Sequence, residues 1–540
     1  MNRRRFLTSS LASGAAPAHG RASASQTPPR FAKRTSAGLE RYSGSWTYTQ
    51  AAHLLRRAMV GPTDAEIRRA VSEGMAATVN RLLAPFTPSL TLISDWAGTD
   101  AWIRPANPSD PTQYQAWQIE LFRRRDTLSR WWEQTIATGP VSIQERMTLF
   151  WHNHFTSELQ TVNFAEFMYV QNQLLRSRSL GNFKQFTLEV TRDVAMLLYL
   201  DGAKNYKRGN RDNVNENYAR ELMELFTCGV TDWNGNPNYT QDDVHEAARS
   251  LSGWTGTTSA QGTSYAGLAS QFIPQNWDSG QKTLMGQTGA WKDSDVIDII
   301  FAQRAEVIAK FICGKLYRNF VYATMDQEVV TEMASTFRTG NWELRPVVEQ
   351  LLQSAHFYDP TNIGAVEKSP VDYMLGMVRQ LGLTNVPDFD TATSGRTTTD
   401  LLGRMGAMGM QLFDPPNVKG WEGGRTWVST STLPIRQKFG IDVANGALRR
   451  QQLKLYVWDP VAFAKRFPDY SRIDTLSDDM ARALLNTEPS TMERQTLRDV
   501  MAGGTGAAYE WDIDDPTTNA ENKLRQWLVA LVQLAKFQLD

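Results

Sequence analysis

Residues 213–254 carry the pattern that most constrains this fold: N-E-N-Y-A-R-E-L-M-E-L-F, a turn-rich break, then Y-T-Q-D-D-V-H-E-A-A-R-S-L-S-G-W. Tyr218, Leu222 and Leu225 recur at four-then-three spacing, the mark of one buried helical stripe. The segment therefore predicts two helices joined by a loop. Asn217, Arg220, Glu221 and Glu224 occupy the rest of the first helix. Glu221 and Glu224 sit three residues apart, where two carboxylates repel unless a cation, a metal or a shared proton separates them. Arg220 and Arg249 could supply that cation. Thr240 with Asp243 matches a capping box, and Asn213 with Glu216 has the same spacing, so Glu216 and Asp243 have ordinary helix-starting roles available to them.

The N-terminus reads as an address. Arg3, Arg4, Arg5, Phe6 and Leu7 form a twin-arginine pattern, a small-residue run follows, and Ala22-Ser23-Ala24 suits signal-peptidase cleavage. Residues 1–24 are thus expected to be a signal peptide, 25–45 a disordered lead, and 46–540 the folded part. The destination is periplasmic or secreted. Lys plus Arg and Asp plus Glu each total 57, so no global field draws nucleic acid. Nothing beyond the signal approaches the roughly 18 apolar residues of a membrane span. Cys228 and Cys313 are the only cysteines, too few for a disulfide framework, and two buried free thiols are expected. Twin-arginine export delivers folded proteins and so permits a cofactor without requiring one. These residues name none.

Capping and periodicity predict helices along most of the chain, giving a mainly α fold: one large helical domain with long irregular loops and a few short strands. Thr63 with Glu66 and Ser142 with Glu145 have capping-box spacing. His53 sits on a helix as a satisfied residue. F-W-H-N-H-F at 150–155 offers His152 and His154, but residues two apart on a helix point about 200° from each other, so they converge on a metal only if the helix ends there. Residues 160–202 continue as helix and deliver Asp201 at the end of an apolar run; a basic loop follows at 205–211. Residues 254–291, rich in Gly, Ser, Thr and Gln, predict irregular or short-strand structure that could serve as a lid. Residues 96–113 read as a surface loop and 384–399 as a polar linker. Met405, Met408 and Met410 are read as core. F-D-P-P-N-V-K-G-W-E-G-G-R-T-W at 413–427 presents Asn417, Lys419, Glu422 and Arg425 between aromatics on a backbone shaped by proline and glycine.

Taken in order, H-L-L-R-R-A at 53, F-W-H-N-H-F at 150, A-M-L-L-Y-L-D at 195, N-E-N-Y-A-R-E-L-M-E-L-F at 215, Y-T-Q-D-D-V at 239, S-G-W at 252, K-T-L-M-G at 282, K-S-P at 368 and P-P-N-V-K-G-W at 415 resemble the bacterial family catalogued as domain of unknown function 1800. The resemblance implies export and gene proximity to a sulfatase-like exported protein, but no reaction. The family usually has a His-Asp pair before K-T; this chain reads Asn276-Trp277-Asp278, which weakens any metal site that would use that histidine.

Export, a supply of 17 tryptophans, and carboxylates without a nucleophile elbow or phosphate loop lead to the expectation of a hydrolase acting on a polymeric substrate, a polysaccharide. Two of Asp201, Glu221, Glu224 and Asp243 would act as general acid and base. His152, His154, Asn217, Arg220, Arg249, Trp254, Lys282, Asn417 and Trp421 would bind the glycan. Two alternatives stay open: a metal-dependent hydrolase or oxidase using the histidines with Asp201 and Glu221, and a non-catalytic partner of the sulfatase-like protein.

Overall fold

The computed structural model describes residues 31–98, 109–209, 211–258, 265–385, 400–450, 453–454, 456–504 and 511–540. The signal at 1–24 and most of the linker at 384–399 lie outside them. Twenty-two α-helices and five two-stranded antiparallel pairs make up the regular structure of these residues. The fold is mainly α, and among the described residues no helix is long and apolar enough to cross a membrane.

The buried apolar residues gather into two cores. The first is built by Tyr48–Ala58, the paired helices Ala305–Phe320 and Gln327–Thr339, and the central segment from Tyr218 to Leu251. The second is built by Pro111–Thr138, Pro370–Leu381, Ile473–Leu484 and Ala520–Val532. Helix Gln144–His154 serves both, sending Met147 and Trp151 into the first and Leu149 into the second. A helix buried on several sides shows no clean apolar stripe. Its FWHNHF motif therefore lies at the seam.

Buried arginines tie the halves across that seam. Arg56 donates to the carbonyls of Ala483 and Leu485, at 2.8 and 2.5 Å, satisfying the C-terminal end of Ile473–Leu484. Arg146 forms a bidentate pair with Asp372, at 2.5 and 3.0 Å, and donates to Met59 O at 3.0 Å. Charge in such places is held by local hydrogen bonds rather than by water.

Several local expectations are revised. The caps Thr63/Glu66 and Thr240/Asp243 form, each contributing on the order of 1 kcal/mol. Ser142/Glu145 does not: Ser142 Oγ turns to the Ala84 carbonyl, and Glu145 is taken by Arg176 and the Trp132 indole. Asn213 does not cap either, because it ends a strand, Arg211–Asn213, paired with Tyr206–Arg208. The basic loop at 205–211 is thus largely a hairpin. Residues 160–202 break into four helices between Leu159 and Tyr199. The lead expected to be disordered to residue 45 is laid along the body from Phe31 onward, with bridges from Phe31 to Met325 and from Arg41 to Ser354, and Leu39 buried. Trp96, read as loop, is fully buried against Thr127. Cys228 and Cys313 are free and buried, His53 is bonded to the Phe357 carbonyl, and Met405, Met408 and Met410 fill core.

Candidate functional site

The central motif ends in a wider helical turn than its sequence implies. Asn217–Glu221 is α-helical, but Leu222–Thr227 follows i→i+5 geometry, with Cys228 N donating to Met223 O at 3.1 Å. The Thr227 hydroxyl also bonds back five residues, to Leu222 O. Such bulges shift the carbonyls that follow out of the ordinary helical register. Here the carbonyls of Leu225 and Phe226 are released toward two other elements. Phe226 O accepts from His154 Nε2 at 3.0 Å, and Leu225 O accepts from Lys315 Nζ at 3.1 Å.

Those two bonds set the state of a third. Because Nε2 of His154 donates to a carbonyl, the neutral ring must present Nδ1 as an acceptor, and Lys315 Nζ lies 2.9 Å from it. Burial and the Lys315 charge hold His154 well below the usual histidine range, so it is neutral at pH 7. Lys315 is itself pulled down to about 7, chiefly by burial and secondarily by Arg318. The pair therefore holds one titrating amine, fixed by two acceptors.

Above it sits the proline- and glycine-rich loop. Asn153 Oδ1 accepts from Trp421 N at 2.6 Å, and its Nδ2 donates to Trp421 O at 3.4 Å. The contact is close enough to demand glycine at the preceding position. Gly420 has φ +80°, and a Cβ there would stand 2.1 Å from Asn153 Oδ1 and 2.5 Å from the Asn153 carbonyl. The middle residue of the histidine motif thus seats the second motif, a role its neighbours had obscured.

Between these elements opens a cleft of about 690 Å³, within the range of a small-molecule or oligosaccharide site. It is lined by Arg57, by Lys315, Arg318 and Asn319 of Ala305–Phe320, by Phe150, Asn153 and His154, by Glu367, and by Lys419, Trp421, Glu422, Arg425 and Trp427 of the loop. Asp372 also reaches the cleft but is committed to Arg146 and the Ser369 hydroxyl. Burial alone would raise it, yet the Arg146 charge and hydrogen bonds hold it below the usual carboxylate range.

Of the thirteen candidates drawn from sequence, His154 and Trp421 line this cleft. Asp201 pairs with Lys204 at 2.5 Å in a left-handed turn. Glu221 lies partly buried on its short helix, and Glu224 is buried, meeting the Tyr239 hydroxyl at 3.4 Å. Asp243 caps its helix and accepts from Met285 N at 2.6 Å. Four carboxylates that looked like acid and base candidates are therefore placed away from the cleft lining. Asn217 is exposed, and Arg220 pairs with Glu216 at 3.0 Å. Arg249 and Lys282 brace the strand pair Lys282–Leu284 and Gln287–Gly289: Arg249 binds Asp278 at 2.8 Å, and buried Lys282 donates to the carbonyls of Asp278 and Trp291. Trp254 packs under the Arg192 guanidinium, and Asn417 accepts from Lys419 N within its own turn.

His152 is buried against Trp132, Phe413 and Trp421, and burial pushes it to about 3. Its ring faces aromatic neighbours, whereas His154 faces Lys315 and Phe226. Among the described residues no three His, Cys, Asp or Glu side chains gather as a metal cluster. Arg57, Asn153, Glu367 and Arg318 were not singled out for the site by sequence. Lys315 and Arg318 carried a signal of their own, being cations in an apolar stretch of their helix, I-C-G-K-L-Y-R.

The profile of the family described as Protein of unknown function (DUF1800) matches residues 53–539. The chain belongs to this family. The match covers every motif that forms the cleft, from Arg57 to Trp427. No curated protein and no solved structure matches the chain. For this DUF1800 protein, function has to be argued from the cleft itself.

Proposed function

We propose that this DUF1800 protein is an exported hydrolase that binds a polymeric glycan in the seam cleft. The observation that supports this most is the composition of the lining: Trp421 and Trp427 line the same cavity as Glu367 and Glu422. Aromatic faces suit the apolar faces of sugar rings, and a pair of carboxylates is the usual means of cleaving a glycosidic bond by general acid and base. Asp372 is unsuited because its two oxygens are held by Arg146. The acid and base roles expected of Glu221, Glu224, Asp201 and Asp243 accordingly pass to Glu367 and Glu422. Glu367, with Arg425 Nε 4.0 Å away, and Glu422 are the pair assigned to these two roles.

The test is reducing-end release from a panel of polysaccharides by the mature chain. Glu367→Gln and Glu422→Gln are each expected to lower kcat by about 10²–10⁴-fold while leaving oligosaccharide binding within a few-fold of the parent. Full turnover by both variants would remove the assignment. Absence of release from any polymer in the panel would remove the hydrolase reading.

A further inference from the structure

We propose that the glycan is anionic and that one of its sulfate or carboxylate groups seats between Lys315 and Arg318; this rests on the glycan reading above. The first support is charge placement. The whole chain balances 57 cations against 57 carboxylates. In the cleft, with the Arg146–Asp372 pair set aside, Arg57, Lys315, Arg318, Lys419 and Arg425 face only Glu367 and Glu422. A low-dielectric concave wall concentrates such a field.

The second support is that, among the described residues, no carboxylate pairs with either of two adjoining cations. Lys315 and Arg318 are three residues apart on Ala305–Phe320, so they share a face and repel. The partners of Lys315 are a neutral imidazole and a carbonyl, and Arg318 Nη1 rests against Met325 Sδ at 3.1 Å. Among the described residues no carboxylate offsets the repulsion between them.

The third support is direction. A protonated lysine has three N–H donors. His154 Nδ1 and Leu225 O accept two of them, which leaves the third for the cleft that Lys315 lines. A charge-assisted bond from that donor to a substrate oxygen is both strong and oriented. Loss of the proton replaces this donor by a lone pair and turns the same position against an anion.

Calorimetric titration of the mature chain at pH 6 tests this, using a neutral oligosaccharide, a uronate-bearing one, a sulfated one of equal length, and inorganic sulfate. At least one charged oligosaccharide is expected to bind about tenfold tighter than the neutral one, equivalent to one charge-assisted contact. Which of the two does so identifies the anion. Lys315→Met is expected to abolish the difference, and Lys315→Arg to restore most of it. The preference is expected to fade as pH rises through about 7 as Lys315 loses its charge. Over that range His154 stays neutral; the other charged groups that line the cleft with Lys315 are Arg57, Arg318, Lys419, Arg425, Glu367, Glu422 and the paired Arg146 and Asp372. Should Lys315→Met fail to fold, Arg318→Gln gives the same readout.

Equal affinity for charged and neutral oligosaccharides would overturn the anionic inference and leave the glycan reading standing. Sulfate binding that depends on Lys315, with no oligosaccharide bound, would overturn the glycan reading instead. A preference unchanged in Lys315→Met would overturn the placement of the seat.

Discussion

Replacing Arg146 with methionine is expected to lower unfolding stability by about 3–5 kcal/mol, the usual cost of stripping one partner from a buried ion pair. Asp372 would remain in a site where burial opposes its charge, keeping only the Ser369 contacts of its capping box. The Met59 carbonyl would also lose its donor. The pH dependence follows in sign. In the parent, the folded pKa of Asp372 lies below its unfolded value, so the pair's contribution is present above the ordinary carboxylate range and lost as pH falls through the folded value. In Arg146→Met the folded pKa rises instead, so the penalty is largest near neutrality and shrinks as Asp372 takes a proton in acid. Urea unfolding of both proteins at pH 7 and pH 4.5 measures this, and a gap that widens in acid would contradict it. Adding Asp372→Leu to Arg146→Met is expected to recover part of the loss, because the stranded charge is then removed.

Gly420→Ala is expected to cost about 2–4 kcal/mol and to abolish ligand binding in the cleft, through positive-φ strain plus a steric clash. One of the clashing atoms is the Asn153 carbonyl, part of Gln144–His154, so the loop rather than the helix must move. That movement breaks the two Asn153 bonds to Trp421 and displaces Lys419, Trp421 and Glu422 from the wall. Asn153→Ala removes the amide but not the carbonyl, so it is not expected to rescue Gly420→Ala. Gly424 is the control: its φ is +59° but a Cβ there meets nothing within 4 Å, so Gly424→Ala is expected to cost only about 1 kcal/mol. Thermal unfolding and ligand titration of the two variants side by side check the contrast. Equal effects would mean that the Asn153 contact does not hold the loop.

The helical content was legible because it is a local property. Caps such as Thr63/Glu66 and the stripe of Tyr218, Leu222 and Leu225 are written within a few residues of one another. The failures have physical causes as well. Ser142 and Glu145 have the right spacing for a cap, but a buried arginine and an indole compete for the carboxylate, and a charge-assisted bond to Arg176 outweighs one to a backbone amide. Glu224 looks like a free acid group in a string of letters, but in space it is buried and meets the Tyr239 hydroxyl at 3.4 Å. Asp243 keeps the cap its spacing announces, and packing adds an amide, Met285 N, that the spacing does not show.

By itself, then, the sequence determined the helical class, the family, the stretches that matter and, among the lining residues, His154 and the Lys419, Trp421, Glu422 and Arg425 of one loop, because periodicity, capping and ordered motifs are local or linear signals. Only the tertiary structure decided what those stretches do. The central helix does not carry its carboxylates into the cleft; it turns the carbonyls of Leu225 and Phe226 toward Lys315 and His154, through a widened turn that no spacing rule announces. Lys315 is 161 residues from His154, and Trp421 is 268 from Asn153. The charge, tautomer and direction of such groups depend on burial and on partners that only packing brings together.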